Sequence, residues 1–202
     1  MANRDQEIIE RVAQGDKAAY TEVVDRHKDR AMTLALRMMK NREDAEEAVQ
    51  DAFVRAYHAL GSFEWRSSFS TWFYRIVFNV CSTALARRHP EILVSIDGDD
   101  SLAGSQLVGT EPLPNERSES SEFHTIVAEE IDKLPPSYAG VVTLFYVQEM
   151  TYDEIVAVTG MPLGTVKAKL FRGRTMLQKA VLGRFQERQP GIGPAVMPAV
   201  VR

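Results

Sequence analysis

The residues best suited to handling a charged polymer lie between positions 151 and 174. Thr151-Tyr152-Asp153-Glu154 is a capping box, in which the threonine hydroxyl and the glutamate carboxylate each satisfy a free backbone N–H at a helix start. The helix it opens carries Ile155, Val156 and Val158 inward and closes at Gly160. A tight connection, Met161-Pro162-Leu163-Gly164, leads to a second start at Thr165, with Val166, Leu170, Leu177 and Val181 on the inner stripe. The pattern is a helix–turn–helix. Lys167, Lys169, Arg172 and Arg174 are the side chains not needed inside, and they are expected on the outer face. Lysine and arginine neutralise phosphates, and either can contact guanine O6 and N7 in a major groove. A solvated basic helix on a structural bundle is the alternative.

A second unusual stretch runs from Phe63 to Phe78. Phe63, Trp65, Phe69, Trp72, Phe73, Tyr74 and Phe78 place seven of the seventeen aromatic residues within sixteen positions. With Phe73, Ile76, Val77 and Val80 inward, a helix from about Ser70 to Arg88 leaves Trp72, Arg75, Asn79 and Thr83 on another face at spacings of three and four. Rings, an amide and arginines side by side suit unstacked single-stranded bases: rings stack, Asn79 reads a base edge, cations hold phosphates. An ordinary aromatic core explains the spacing equally well.

A helix from about Asn41 to a stop at Gly61 presents Glu47, Gln50, Asp51 and Val54 on one outer face, which in isolation reads as a solvated surface. No catalytic pattern emerges. His27, His58, His89 and His124 are scattered, and there is no Gly-rich phosphate loop, HExxH or nucleophile elbow. His27 falls on an apolar stripe and Cys81 near the inner side of its helix, so both are read as packing residues. No cofactor or metal is expected.

Around these segments, 202 residues with 45% apolar side chains can bury real cores. A net charge of -4 excludes an evenly basic protein that coats nucleic acid, but the sum hides local asymmetry. Residues 90–122 hold eight carboxylates against Arg117 alone, while residues 161–188 hold seven cations against Glu187 alone. Positions 53–90 are also net basic. The acidic stretch is rich in Ser, Gly and Pro without an apolar period, as a tether is. The expected fold class is all-α: two small helical domains, 1–94 and 122–188, joined by a flexible acidic linker over 95–121, with an irregular tail at 189–202. A single cysteine, a charged amino terminus and no apolar run near the ~20 residues of a membrane span point to a soluble cytoplasmic protein without membrane insertion.

Three segments in this order resemble the extracytoplasmic-function (ECF) group of bacterial RNA polymerase sigma factors, within the sigma-70 family. They are Asp44-Ala45-Glu46-Glu47-Ala48-Val49-Gln50-Asp51-Ala52-Phe53, Ser70-Thr71-Trp72-Phe73-Tyr74-Arg75-Ile76-Val77-Phe78-Asn79, and Met161 to Arg174. The resemblance spans about Glu7 to Arg184. It implies that Glu47, Gln50 and Asp51 dock on the clamp helices of the largest subunit of core polymerase. It assigns Phe63, Trp65, Arg66, Trp72, Arg75, Asn79, Thr83, Arg87 and Arg88 to a single-stranded -10 promoter element, with Asn79 in the pocket for a flipped base. It assigns Thr165, Lys167, Ala168, Lys169, Phe171, Arg172 and Arg174 to duplex DNA at -35, beside the polymerase flap. The acidic stretch would thread toward the RNA exit channel, and an anti-sigma factor would restrain the protein. Two positions depart from the family pattern: Thr83 stands where an acidic or amide side chain is common, and Trp65 where a small or polar one is usual. A stand-alone helix–turn–helix regulator is the competing class, and it leaves the aromatic segment and the Glu47 face unexplained.

Overall fold

In the computed structural model, which describes residues 2–88 and 121–188, every regular element is helical. The acidic stretch, apart from Ser121, and the tail 189–202 lie outside the described residues. The elements are α1 (Ala2–Ala13), α2 (Lys17–Met39), α3 (Arg42–Ala59), a 3-10 turn (Leu60–Ser62), α4 (Phe69–Arg88), α5 (Ser121–Lys133), α6 (Pro136–Tyr146), α7 (Tyr152–Thr159) and α8 (Leu163–Arg188).

Local chemistry sets most of these boundaries. The Asp16 carboxylate accepts from Ala19 N at 3.2 Å to start α2, and the Asn41 side chain accepts from Asp44 N at 3.0 Å to start α3. Helix α2 ends at Lys40, whose φ of +59° is the left-handed conformation of a helix C-cap. Pro136 opens α6, where a missing N–H costs nothing. Gly61 does not terminate α3 in the left-handed way the sequence suggests. The chain tightens at Leu60 into the 3-10 turn, and Gly61 lies inside it.

Helix α2 is the hub, packed against α1, α3, α4 and α6. Its buried stripe runs Ala19, Val23, His27, Ala31, Leu34, Ala35 and Met38. Asp5 ties α1 to it: Arg26 Nε donates to one carboxylate oxygen at 2.8 Å, and His27 Nε2 lies 3.3 Å from the other. Burial alone would raise the Asp5 pKa, but His27 and the Arg26 guanidinium outweigh it and hold the carboxyl below the ordinary value. His27 is buried as expected, with its ring against the edges of Phe69 and Phe73 at 5.2 and 5.8 Å. Cys81 is fully buried, and burial pushes its thiol up to about 12.

The two halves share one hydrophobic cluster. α2 meets α6 and α4 meets α7, so that Met38, Tyr74 and Phe78 belong to the same core as Val141, Leu144 and Ile155. Residues Tyr138 to Leu144 of α6 are buried without a break. A helix apolar on every side is one covered on every side. Here α8 and α5 cover part of it and α2 the rest.

Candidate nucleic-acid interface

Helix α4 is built from two opposed stripes. Phe73, Val77 and Val80 are buried, as expected, and Ile76 is only half-buried. Tyr74 and Phe78 are buried as well, Phe78 beside Gly140 of the second half of the chain. What remains is a line of Arg75, Asn79 and Thr83, all exposed, with Trp72 half-buried at its head. Spacings of three and four put these side chains on one face.

The head of that line is an aromatic cluster in the segment before α4. The Phe63 ring lies 4.7 Å from Trp65 and 4.9 Å from Trp72, and Phe69 lies 5.6 Å from Trp72. Phe63 thus stands between two indoles. Trp65 is 39% exposed and holds a φ of +56°, a left-handed backbone that costs a bulky residue about 1–2 kcal/mol. Arg66 stands off the cluster, paired with Glu64 at 2.7 Å and nearly free in solvent.

The far end of α4 differs from the expected arrangement. Arg87 and Arg88 are exposed, and Arg88 pairs with Asp44 and, at 3.7 Å, with Glu47 of α3. Two carboxylates at one end of α3 outcompete solvent for the guanidinium. Glu47 and Gln50 are exposed, and Asp51 holds Arg55 at 2.8 Å one turn on. Asp44, Glu47, Asp51, Arg55, Thr83, Arg87 and Arg88 line a common groove between α3 and α4. The Glu47 face and the tail of the Asn79 line are therefore neighbours.

The helix–turn–helix forms as its sequence directs. Thr151 N donates to Glu154 Oε2 at 2.9 Å, while Glu154 N donates back to Thr151 Oγ1 at 3.3 Å. Gly160 caps α7 with a φ of +71°, and its N–H reaches Val156 O at 2.9 Å. The turn is shorter than expected: α8 begins at Leu163, so Leu163 and Gly164 belong to its first turn.

Val166, Leu170, Leu177 and Val181 are buried. Lys167 and Phe171 stand on the outer face, with Phe171 60% exposed, and Ala168, Thr165, Arg172 and Arg174 flank them half-buried. The Lys167 ammonium lies 5.8 Å from the centre of the Tyr152 ring, which braces it against α7.

Lys169 is not on that outer face. It is 5% exposed, with its ammonium 5.5 Å from the centre of the Tyr138 ring. It sits three residues after Val166 and four before Gly173, and both are buried, so helical geometry carries it to the inner stripe. Its long apolar stem packs there.

The sequence reading also missed what lets α8 approach α6. A Cβ built on Gly173 would lie 2.7 Å from Val142 Cγ2, so only hydrogen fits. A glycine inside a helical pattern was the available signal. Likewise unforeseen, Thr71 Oγ1 donates to Glu154 Oε1 at 3.2 Å, linking the start of α4 to the start of α7. Among the described residues, no group of three or more His, Cys, Asp or Glu could hold a metal, and no helix is long and apolar enough to cross a membrane.

Comparison with known proteins places this geometry. Residues 23–90 match the family model for sigma-70 region 2, and residues 124–177 match that for sigma-70 region 4. The first match covers the α4 line with its aromatic cluster, the second the helix–turn–helix. The chain is 36% identical over 174 residues to the ECF RNA polymerase sigma factor SigW of Bacillus subtilis, covering 85% of this chain and 93% of that one. It is 34% identical over 181 residues to the ECF RNA polymerase sigma-E factor of Escherichia coli (strain K12), covering 88% and 94%. Its fold is similar to that of CnrH, solved in complex with the cytosolic domain of CnrY, with a TM-score of 0.60 and 24% identity over 89% of this chain and 97% of that one. With both regions present in order, and relatives matched over nearly their whole length, the chain belongs to the ECF group of sigma-70 RNA polymerase sigma factors.

Proposed function

We propose that this sigma factor acts as a promoter-specificity subunit with no reaction of its own, redirecting where bacterial core RNA polymerase binds and opens DNA. The observation that carries the assignment of roles is the α4 line: Arg75, Asn79 and Thr83 exposed below an aromatic cluster, an arrangement a core alone does not require. Lys167, Phe171 and Arg172 of α8 engage the -35 duplex, where contacts to phosphates set register and contacts to base edges specify sequence. Phe63, Trp65 and Trp72 stack on unpaired bases at -10, and Asn79 reads the edge of a flipped one, repaying a few kcal/mol of unstacking. The Glu47, Gln50 and Asp51 face docks on the clamp helices of the polymerase, and the second half of the chain lies at the flap. Regions 1–94 and 122–188 divide these tasks. The protein works in the cytoplasm, in a stress or envelope response, under restraint by an anti-sigma factor. One solved relative of this fold, the Bartonella quintana sigma factor RpoE, is bound to the anti-sigma factor NepR.

The test is transcription by bacterial core polymerase from fragmented genomic DNA of the source organism, with and without the protein, sequencing new 5′ ends. New start sites sharing a -35 and -10 pair are expected. In the same assay Asn79→Ala is expected to lose promoter opening while keeping -35 contacts. Retention of particular fragments by the protein alone, with no new start sites, would support a stand-alone regulator instead.

A further inference from the structure

We infer that Tyr152, which lies outside the -35 contact set above, is the positioning residue that makes Lys167 a reader of bases instead of a mobile neutraliser of phosphates, and that the pair it reads is G·C. The Tyr152 ring is itself fixed from two directions. Tyr152 is the first residue of α7, so the capping box between Thr151 and Glu154 holds its backbone. The Phe145 ring of α6 packs on it with centroids 5.2 Å and planes 31° apart, and Tyr146 stands edge-on to Phe145 at 4.9 Å. Over this supported ring α8 lays the Lys167 ammonium, 5.8 Å from its centre.

Two lysines of α8 lie over tyrosine rings, and their surroundings separate their roles. Lys169 is buried over Tyr138, whereas Lys167 is exposed and its ring restrains it on the outer face. A free lysine has a flexible stem, and its ammonium follows the nearest phosphate, for which charge alone suffices. A donor to a base edge must instead be held within hydrogen-bonding range. An ammonium has donors only, so it suits the O6 and N7 acceptors of guanine and is opposed by the N6 donor of adenine. Immobilising a long side chain on binding is unfavourable, and one already held by a ring has less freedom left to lose. Only the sequence that needs the ammonium held gains from this, so the brace raises discrimination more than it raises affinity. The inference rests on the promoter reading above.

The test is anisotropy titration of the polymerase complex with two -35 duplexes, one taken from the mapped start sites and one with each G·C pair of the element exchanged for A·T. Tyr152→Leu removes the ring face and keeps every charge. It is expected to lower the ratio of the two affinities about fivefold, while the salt slope stays at its wild-type value. Tyr152→Phe keeps the face and is expected to keep the ratio. Lys167→Met lowers the ratio by itself, and adding Tyr152→Leu to it is expected to change nothing further, whereas a merely structural loss at Tyr152 would still weaken the double variant. The inference is overturned if Tyr152→Leu leaves the ratio unchanged, or if the leucine effect persists in the Lys167→Met background. It is equally overturned if Tyr152→Phe lowers the ratio as far as leucine does, which would make the hydroxyl a DNA contact, or if the shared -35 element holds no G·C pair. If the complex with the wild-type chain binds both duplexes alike, the promoter reading itself fails.

Discussion

Replacing Gly173 by alanine tests whether α8 truly lies where its fold places it. A glycine inside a helix is less favourable than alanine by about 1 kcal/mol, so at an open site the exchange stabilises. At Gly173 the new methyl would sit 2.7 Å from Val142 Cγ2. Val142 is fully buried and β-branched, so it has no alternative rotamer to retreat into. Overpacking of this kind costs about 1–3 kcal/mol and exceeds the gain in propensity. The expected net loss is about 1 kcal/mol, a fall in Tm of roughly 3 °C for a chain of this length. Gly183, ten residues further along the same helix, has nothing within 4 Å of a built Cβ. Gly183→Ala is therefore expected to hold Tm or raise it by up to about 3 °C. Thermal unfolding of both variants followed by circular dichroism measures the pair. If Gly173→Ala stabilises to the same degree as Gly183→Ala, α8 does not approach α6 as closely as described, and the inward placement of Lys169 fails with it.

Lys167→Ala is expected to reduce the salt-dependence slope of -35 duplex binding by the polymerase complex by about 1, while Lys169→Met leaves it unchanged; anisotropy titrations across salt concentration read both. Asp5→Asn is expected to destabilise the fold by about 2 kcal/mol at pH 7, because the amide carries no charge and keeps one acceptor oxygen for the two partners, setting its NH2 against Arg26 or His27. Because the folded-state pKa of Asp5 is below its ordinary value of 3.8, the stability it contributes is complete above 3.8 and lost as pH falls through the lower value. Urea denaturation at pH 7 and pH 3 is thus expected to show the gap between wild type and variant narrowing in acid.

Features governed by neighbours in the chain were legible in the sequence. The Thr151 capping box, the Asn41 cap and the Gly160 stop each depend on atoms within a few residues, and the structure has all three. The exposed line of Arg75, Asn79 and Thr83 followed from helical spacing alone. Errors arose where an environment is set by distant residues. Lys169 carries a charge, so a polar-outside rule sends it outward, yet a tyrosine ring from α6 receives its ammonium. Arg88 lies at the end of a basic helix, but carboxylates on α3 claim it. Phe78 is buried beside Gly140 of α6, a residue beyond a long acidic stretch and out of reach of any local pattern. The uninterrupted apolar run from Ala139 to Val142 was the clue that α6 is covered on two sides.

Glu154 divides its carboxylate between two tasks, with Oε2 capping α7 and Oε1 receiving the Thr71 hydroxyl. For evolution, the two oxygens make position 154 expensive to vary: an exchange that loosens the link to α4 also unravels the start of the helix–turn–helix. Thr71 is constrained from its own side: it is buried, and its hydroxyl also meets Ser68 Oγ at 2.8 Å at the start of α4. Neither end of the link is free to drift, and a change at position 71 is expected only with a compensating change at 154 or 68.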